Sequence, residues 1–357
     1  MVIGYVGGYR ATNIGNSFFN LGAEYVLKSV FKDDTVSMIF DQPAGILRSE
    51  KKYGNPKRAI NVIEHTKLDV LVLLGPVISK DFLPIWEKTL TKLCNNNVKY
   101  MILSCGLMKC NNSDLIRIKE FFKKYPPYLI STRDSEAYGA LKDVCPKVYN
   151  GIDFAFFVPD IHKALTLDYD KLLSINFDKF YEPKISINKS IKGGVKFAFD
   201  GEDWELKFND FIRKFGAKTD RITDGLIYLL SVFPAKNRAA KVGRYDIIRT
   251  DHRFTPMLKN KVFRYSNSFV SDIPQTYLDI YANSMLTLSD RVHACVIALA
   301  YGNSAMLFSK TNRSKLLDRV GAAEIYKRPV KLNLSELNVE KKNLIDWMKT
   351  EVKHLKM

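Results

Sequence analysis

Residues 290–293 read Asp-Arg-Val-His and form the polar corner of the stretch MLTLSDRVHACVIALAYG, Met285 to Gly302. Before the corner, Met285–Leu288 is a short apolar run of the kind that makes a buried strand. After it, Ala294–Ala300 is apolar on nearly every side, which predicts a buried helix stopped at Gly302. The start of a helix carries unpaired N–H groups and a partial positive charge, and so favours an anion. Arg291 can grip a carboxylate or phosphate with two parallel N–H bonds. His293 can carry and deliver a proton near neutral pH. Ser289 or Asp290 is expected to cap the helix. The plainer alternative pairs Arg291 with a carboxylate and sets His293 on a backbone carbonyl.

A second group of polar residues also follows apolar runs. Near the start, Val2–Val6 leads into a glycine-rich loop containing Asn13-Ile14-Gly15-Asn16, then a helix from about Ser17 to Val30. Strand, glycine-rich loop and helix expose backbone N–H groups to a ligand, so Asn13, Gly15 and Asn16 are candidate contacts. The loop has neither the spacing of a dinucleotide fingerprint nor the Gly-Lys-Ser/Thr of a P-loop. Arg133 and Asp134 end the strand Tyr128–Thr132, and Asp153 follows the strand Lys147–Tyr149. Asp251 and His252 end the strand Tyr245–Arg249, and Lys310 follows the strand Ala305–Phe308. Asp251 is a candidate base for a hydroxyl. The acidic run Asp200-Gly201-Glu202-Asp203 lacks the spacing of a calcium loop and reads as a solvated turn. His65, His162 and His354 are given no role.

Positioning these residues requires an α/β scaffold. Leu68–Leu74 (LDVLVLL) and Val98–Ser104 are nearly continuous apolar strands ending at Gly75 and Gly106, with a helix from Asp81 to Leu93 between them. A helix from Ser135 to Leu141 follows Asp134. Such alternation argues a parallel sheet covered on both faces, with ligands at the carboxyl ends of its strands. The pattern weakens after Pro159 and resumes at Val195–Phe199. The expected division is therefore an N-terminal α/β domain (1–160), a linker (161–194), a C-terminal α/β domain (195–335) and a final helix (336–357). Within the second domain, helices are predicted from Trp204 to Phe215, Pro274 to Ala282 and Arg313 to Val320. Lys261–Tyr265 reads as a strand, and Gly225–Val232 reads as helix or strand.

The chain has 357 residues, 46% hydrophobic and 26% charged, enough for two folded domains. Its formal charge of +17 is spread along the whole length. Without zinc-finger spacing or an aromatic-basic RNA motif, this argues against nucleic acid. It fits an anionic substrate, with peripheral contact to an anionic membrane as a second expectation. No run suggests a membrane span or a signal segment. The five cysteines show no CxxC pair and are expected as reduced thiols of a cytoplasmic protein, without a metal.

Four short motifs in fixed order carry a resemblance: Asn13-Ile-Gly-Asn16, Ser131-Thr-Arg-Asp134, Asp153-Phe-Ala-Phe156, and Asp290-Arg-Val-His293 before an apolar helix and Gly302. Together they resemble the polysaccharide pyruvyl transferase family, over roughly Gly4 to Gly321, with Lys310 at the position of its usual lysine. The resemblance implies two Rossmann-like α/β domains facing a cleft, similar to the B-type glycosyltransferase fold. It also implies transfer of a pyruvyl group, as a ketal, from phosphoenolpyruvate to a sugar or lipid-linked glycan, with no cofactor. By the same resemblance Arg291 grips the donor, His293 is the general acid, and Arg133 is a second anion contact on the opposite wall. Asn16 stands where the family carries Asp, and Gly75-Pro76 where it carries paired glycines. The competing expectations are a nucleotide-sugar glycosyltransferase of the same fold and an inactive glycan-binding relative.

Overall fold

The computed structural model of the chain describes residues 1–8, 13–39, 60–178, 182–208, 239–253 and 265–355. The first domain contains β1 (Val2–Val6), β2 (Thr35–Ile39), β3 (Val70–Leu74), β4 (Ile78–Ser79), β5 (Lys99–Cys105), β6 (Leu107–Met108), β7 (Ile130–Thr132) and β8 (Val148–Asn150). Among the described residues, six of these make one sheet in the order β2-β1-β3-β5-β7-β8, parallel throughout. Every residue of β3 is buried, as its unbroken VLVLL run requires of a strand covered on both faces. Beyond the carboxyl ends of β3 and β5, β4 and β6 pair as a small parallel ladder. The helices are α1 (Gly15–Val30), α2 (Phe82–Asn95), α3 (Asn112–Lys124), α4 (Ser135–Leu141) and the single turn α5 (Val158–Ile161).

The second domain is built on β9 (Leu172–Asn176), β10 (Lys184–Ile187), β11 (Val195–Phe199), β12 (Glu202–Lys207), β13 (Lys241–Val242), β14 (Tyr245–Thr250), β15 (Ser268–Phe269), β16 (Ser284–Ser289) and β17 (Ser304–Leu307). The main sheet runs β13-β14-β9-β16-β17, with β15 beside β14, and β10-β12-β11 forms a separate antiparallel sheet. Its α-helices among the described residues are α6 (Gln275–Asn283), α7 (Val292–Ala300), α8 (Lys315–Arg319) and α9 (Leu334–Val352). Two Rossmann-like α/β domains thus face one another, as expected.

Three expectations are corrected. The stretch 161–194 is not simply linker, because it supplies β9, a fully buried strand in the middle of the second sheet. LLSIN is apolar enough for a core strand, but the polar, lysine-rich sequence around it masks the signal. Trp204 lies in β12 rather than at the start of a helix; it stacks on Phe197 of β11 with ring centroids 6.0 Å apart. The predicted helix Arg313–Val320 begins as a 3-10 turn over Asn312–Ser314 and continues as the short α8. Residues 209–215, the Gly225–Val232 run and 261–264 lie outside the described residues.

One apolar cluster crosses from domain to domain. It joins Phe18 of α1, Phe154 and Phe156, Tyr281 of α6, Val296 of α7 and Leu344 of α9. Helix α7 explains the continuity: all of its residues except His293 are buried, so it packs against both domains at once. Helix α9 returns to the first domain, where Trp347 stacks on Tyr149 at 4.9 Å and Lys341 pairs with Asp160 at 2.8 Å.

Candidate active site

The polar residues gather at strand ends, where an open α/β sheet leaves its crevice. In the second domain β9 lies between β14 and β16. Asn176, the last residue of β9, pins both neighbours: its side chain donates to Thr250 O (2.9 Å) and accepts from Ser289 Oγ (3.0 Å). The residues that follow these strands, Asp178, Asp251-His252 and Asp290-Arg291, are thereby brought together. In the first domain the ends of β5, β7 and β8 supply Gly106, Arg133 and Asp153.

Arg133, Asp153 and His293 meet across the cleft. The Asp153 carboxylate is wholly buried; Oδ2 accepts from Arg133 Nη1 at 2.9 Å and Oδ1 from the Ala155 amide at 2.9 Å. His293 Nε2 lies 3.8 Å from Oδ1, a distance for an ion pair rather than a hydrogen bond. Burial pushes this carboxyl up, but His293, the Arg133 charge and the Ala155 amide override it and hold the group well below the usual carboxylate range. Arg133 is itself 2% exposed, and its guanidinium lies against Gly106. A Cβ at Gly106 would stand 2.6 Å from Arg133 Nε, so only glycine leaves room for the arginine.

Arg291 is anchored on the second wall. Its Nε donates to Asp178 Oδ1, and Asp178 Oδ2 accepts the His252 amide at 3.2 Å. Burial raises the Asp178 carboxyl, but the charges of Arg291 and His252 bring it down below its ordinary value. Asp251 goes the other way: burial, then the neighbouring Asp178 charge, push it well above the ordinary value. The pKa values of the two acids are thus driven apart, Asp251 upward and Asp178 downward.

Neither Ser289 nor Asp290 caps α7, contrary to expectation; Arg291 is the capping residue, and its side chain makes no cap bond. Ser289 Oγ turns back to accept the Arg291 amide (2.8 Å), and Asp290 Oδ1 accepts the Asp178 amide (3.3 Å), so the strand-end loops occupy both groups. The start of α7 is left without a side-chain cap. Three buried nitrogens around it have no hydrogen-bond partner among the described residues: Arg291 Nη2, His293 Nε2 and Arg133 Nε. Leaving a buried donor unmet costs about 1–3 kcal/mol. Arg291 does pair with a carboxylate, as the plainer alternative held, but that pairing uses only part of its guanidinium.

The N-terminal loop closes against this corner. The Ile14 amide donates to His252 O at 2.7 Å, a main-chain bond between domains. Asn13 Oδ1 accepts from the Gly15 amide (3.2 Å), and Asn13 Nδ2 donates to Asn16 Oδ1 (3.3 Å). A Cβ on Gly15 would lie 3.2 Å from His293 Cβ and 3.3 Å from His252 Nδ1. His252 is wholly buried, with Nε2 2.6 Å from Tyr281 Oη and its ring edge-on to Phe18 at 5.6 Å. It therefore holds the seam between α1 and the second domain. Lys310 is exposed, with its ammonium over the Tyr326 ring at 5.6 Å. Among the described residues no cluster of His, Cys, Asp and Glu could hold a metal ion, and no helix is long and apolar enough to cross a membrane.

Asp178, Asn176 and Arg313 are absent from the sequence-based candidates. For the first two a signal existed, a short apolar strand ending in Asn-Phe-Asp, inside the stretch read as linker. Arg313 sits in a turn and has no such marker.

The sequence matches a family model described as polysaccharide pyruvyl transferase over residues 13–308. No curated protein matches it in sequence. Among solved structures it is similar to an S. aureus MnaA–UDP co-structure, with 11% identity, TM-score 0.48, and coverage of 98% of this chain and 90% of that one. It is also similar to UDP-GlcNAc 2-epimerase from Neisseria meningitidis bound to UDP-GlcNAc, with 12% identity, TM-score 0.47 and 98% and 94% coverage.

Proposed function

Because the chain belongs to the polysaccharide pyruvyl transferase family, we propose that it moves a pyruvyl group from phosphoenolpyruvate to two hydroxyls of a sugar in a cell-surface polysaccharide or lipid-linked glycan. The observation that carries this reading is the uncapped start of α7, where Arg291 Nη2 and His293 Nε2 are buried without hydrogen-bond partners among the described residues. Preorganised donors in a site shielded from water are worth most where negative charge must be bound or developed. Phosphoenolpyruvate offers a carboxylate and a phosphate to such a place.

In this reading Arg291 holds one anionic group of the donor, and Arg133 faces it from the first domain. His293 delivers a proton to the methylene carbon, which becomes the methyl group. One sugar hydroxyl attacks the adjacent carbon, and phosphate leaves with the electrons of its C–O bond. A second hydroxyl then closes the ketal. Of the two hydroxyl protons, one restores His293 and the other departs with phosphate. Asp153 faces the imidazole and orients it, and Asn13, Gly15 and Asn16 form the acceptor side. The formal charge of +17 supports peripheral attraction to an anionic membrane, where lipid-linked acceptors would lie.

Phosphate release from phosphoenolpyruvate over a panel of sugars tests the reading. Release should fall by about 10²–10⁴-fold in His293→Ala and by about 10²–10³-fold in Arg291→Ala. No release with any acceptor, together with tight binding of a nucleotide sugar, would contradict it.

A further inference from the structure

The segment after β17 crosses the cleft. Leu307 pairs with Ser289 of β16, so the chain leaves the sheet beside the Arg291 corner. Thr311 and Ser314 then bond reciprocally and fix the turn Asn312–Ser314. From this turn Arg313 reaches the first domain, with Nη2 2.7 Å from Met108 Sδ. Met108 stands two residues beyond Gly106, the glycine against which the Arg133 guanidinium lies. Lys315 completes the crossing by pairing with Glu136 of α4.

We propose that Arg313 is a third guanidinium of the donor site, reaching across the cleft to bind the phosphate of a multiply anionic enol ester alongside Arg133 and Arg291. This rests on the donor assigned above and extends it to a residue outside the family's motifs. Arg133 and Arg291 each carry a buried carboxylate partner, Asp153 and Asp178. In each pair the carboxylate offsets part of the guanidinium charge. Arg313 has no carboxylate partner among the described residues, and a thioether is only a weak acceptor. Its side chain stays exposed, yet partial desolvation, then the like charges of Arg133 and Arg291, make its charged form less favourable than usual. An exposed arginine without a binding role would be free to turn into solvent, away from two other guanidiniums. Local conflict of this kind is what a binding site tolerates and an incoming anion relieves.

The test is calorimetric titration of the full chain with phosphoenolpyruvate and, separately, inorganic phosphate, using wild type, Arg313→Gln, Arg313→Lys and Arg291→Ala. Arg313→Gln should weaken both ligands by about 10- to 100-fold, the loss of one charge-assisted contact. Arg313→Lys should recover part of that loss. The Tm of unliganded Arg313→Gln should stay level or rise, because a like-charge contact has gone. Binding of both ligands within about twofold of wild type in Arg313→Gln, while Arg291→Ala abolishes it, overturns the inference and leaves the donor reading standing. A lower unliganded Tm with equal losses in the Gln and Lys variants assigns Arg313 a structural role and also overturns it. Wild-type protein that binds neither ligand overturns the donor reading, and the inference with it.

Discussion

The two walls of the cleft each hold an arginine on a buried carboxylate, but they hold their protons differently. On the first wall Asp153 is alone with Arg133, the Ala155 amide and nearby His293, and is held ionised. On the second wall Asp178 faces Arg291 with another acid beside it, Asp251, whose carboxyl is pushed well above its ordinary value. The first wall has a single charge with no substitute, whereas the second holds a spare carboxyl that can ionise if its neighbour is lost. The wall with the single carboxylate should be the fragile one, and the wall with two the adaptable one.

The largest effect should come from breaking the first wall. Asp153→Ala strands Arg133, which is 2% exposed, and should cost about 3–5 kcal/mol, read as a lower denaturant midpoint. Asp178→Ala should cost clearly less, because Asp251 can give up its proton and take over Arg291. Equal losses at the two positions would remove the distinction between the walls.

A smaller effect separates the walls by pH. The folded pKa of Asp251 lies above its unfolded value of about 3.9, so above that pH the folded chain binds more protons than the unfolded one. The contribution of this group to stability therefore falls as pH rises. Asp251→Asn should be more stable than wild type at neutral pH, with the gain vanishing toward about pH 4. Asp153 has the opposite sign: its folded pKa is lowered, so its contribution is full above the unfolded value and is lost as pH falls below it. Thermal melts of wild type and Asp251→Asn across pH measure the difference, and parallel curves would refute the upward shift of Asp251.

The smallest effect concerns the seam. Gly15→Ala places a Cβ 3.2 Å from His293 Cβ. A neighbour that yields by a few tenths of an ångström should cost about 1 kcal/mol or somewhat more in stability. The displaced His293 should slow phosphate release more than it raises the KM for phosphoenolpyruvate.

What was legible in the sequence depended on local pattern. Arg133, Asp153 and Arg291 each follow a strand that apolar runs announce, and α7 betrays its burial by having almost no polar face. The strand β9 was hidden because LLSIN is short and sits among lysines, and Asp178 was hidden with it. Helix α3 was also missed, although Asn111 and Asp114 form a reciprocal cap at its start, a signal readable from spacing alone. The bond from Ile14 to His252 O has no sequence signature, because backbone groups carry no residue identity. The expected cap at Ser289 or Asp290 failed for a tertiary reason: the end of β9 occupies both side chains.

The central claim is that one donor binds between the two walls at the start of α7. A crystal structure of the full chain with phosphoenolpyruvate tests it most directly. The account predicts an anionic group of the donor within hydrogen-bond distance of Arg291 Nη2, and its methylene carbon facing His293. Phosphoenolpyruvate bound elsewhere, with Arg291 Nη2 still unpartnered, would contradict it.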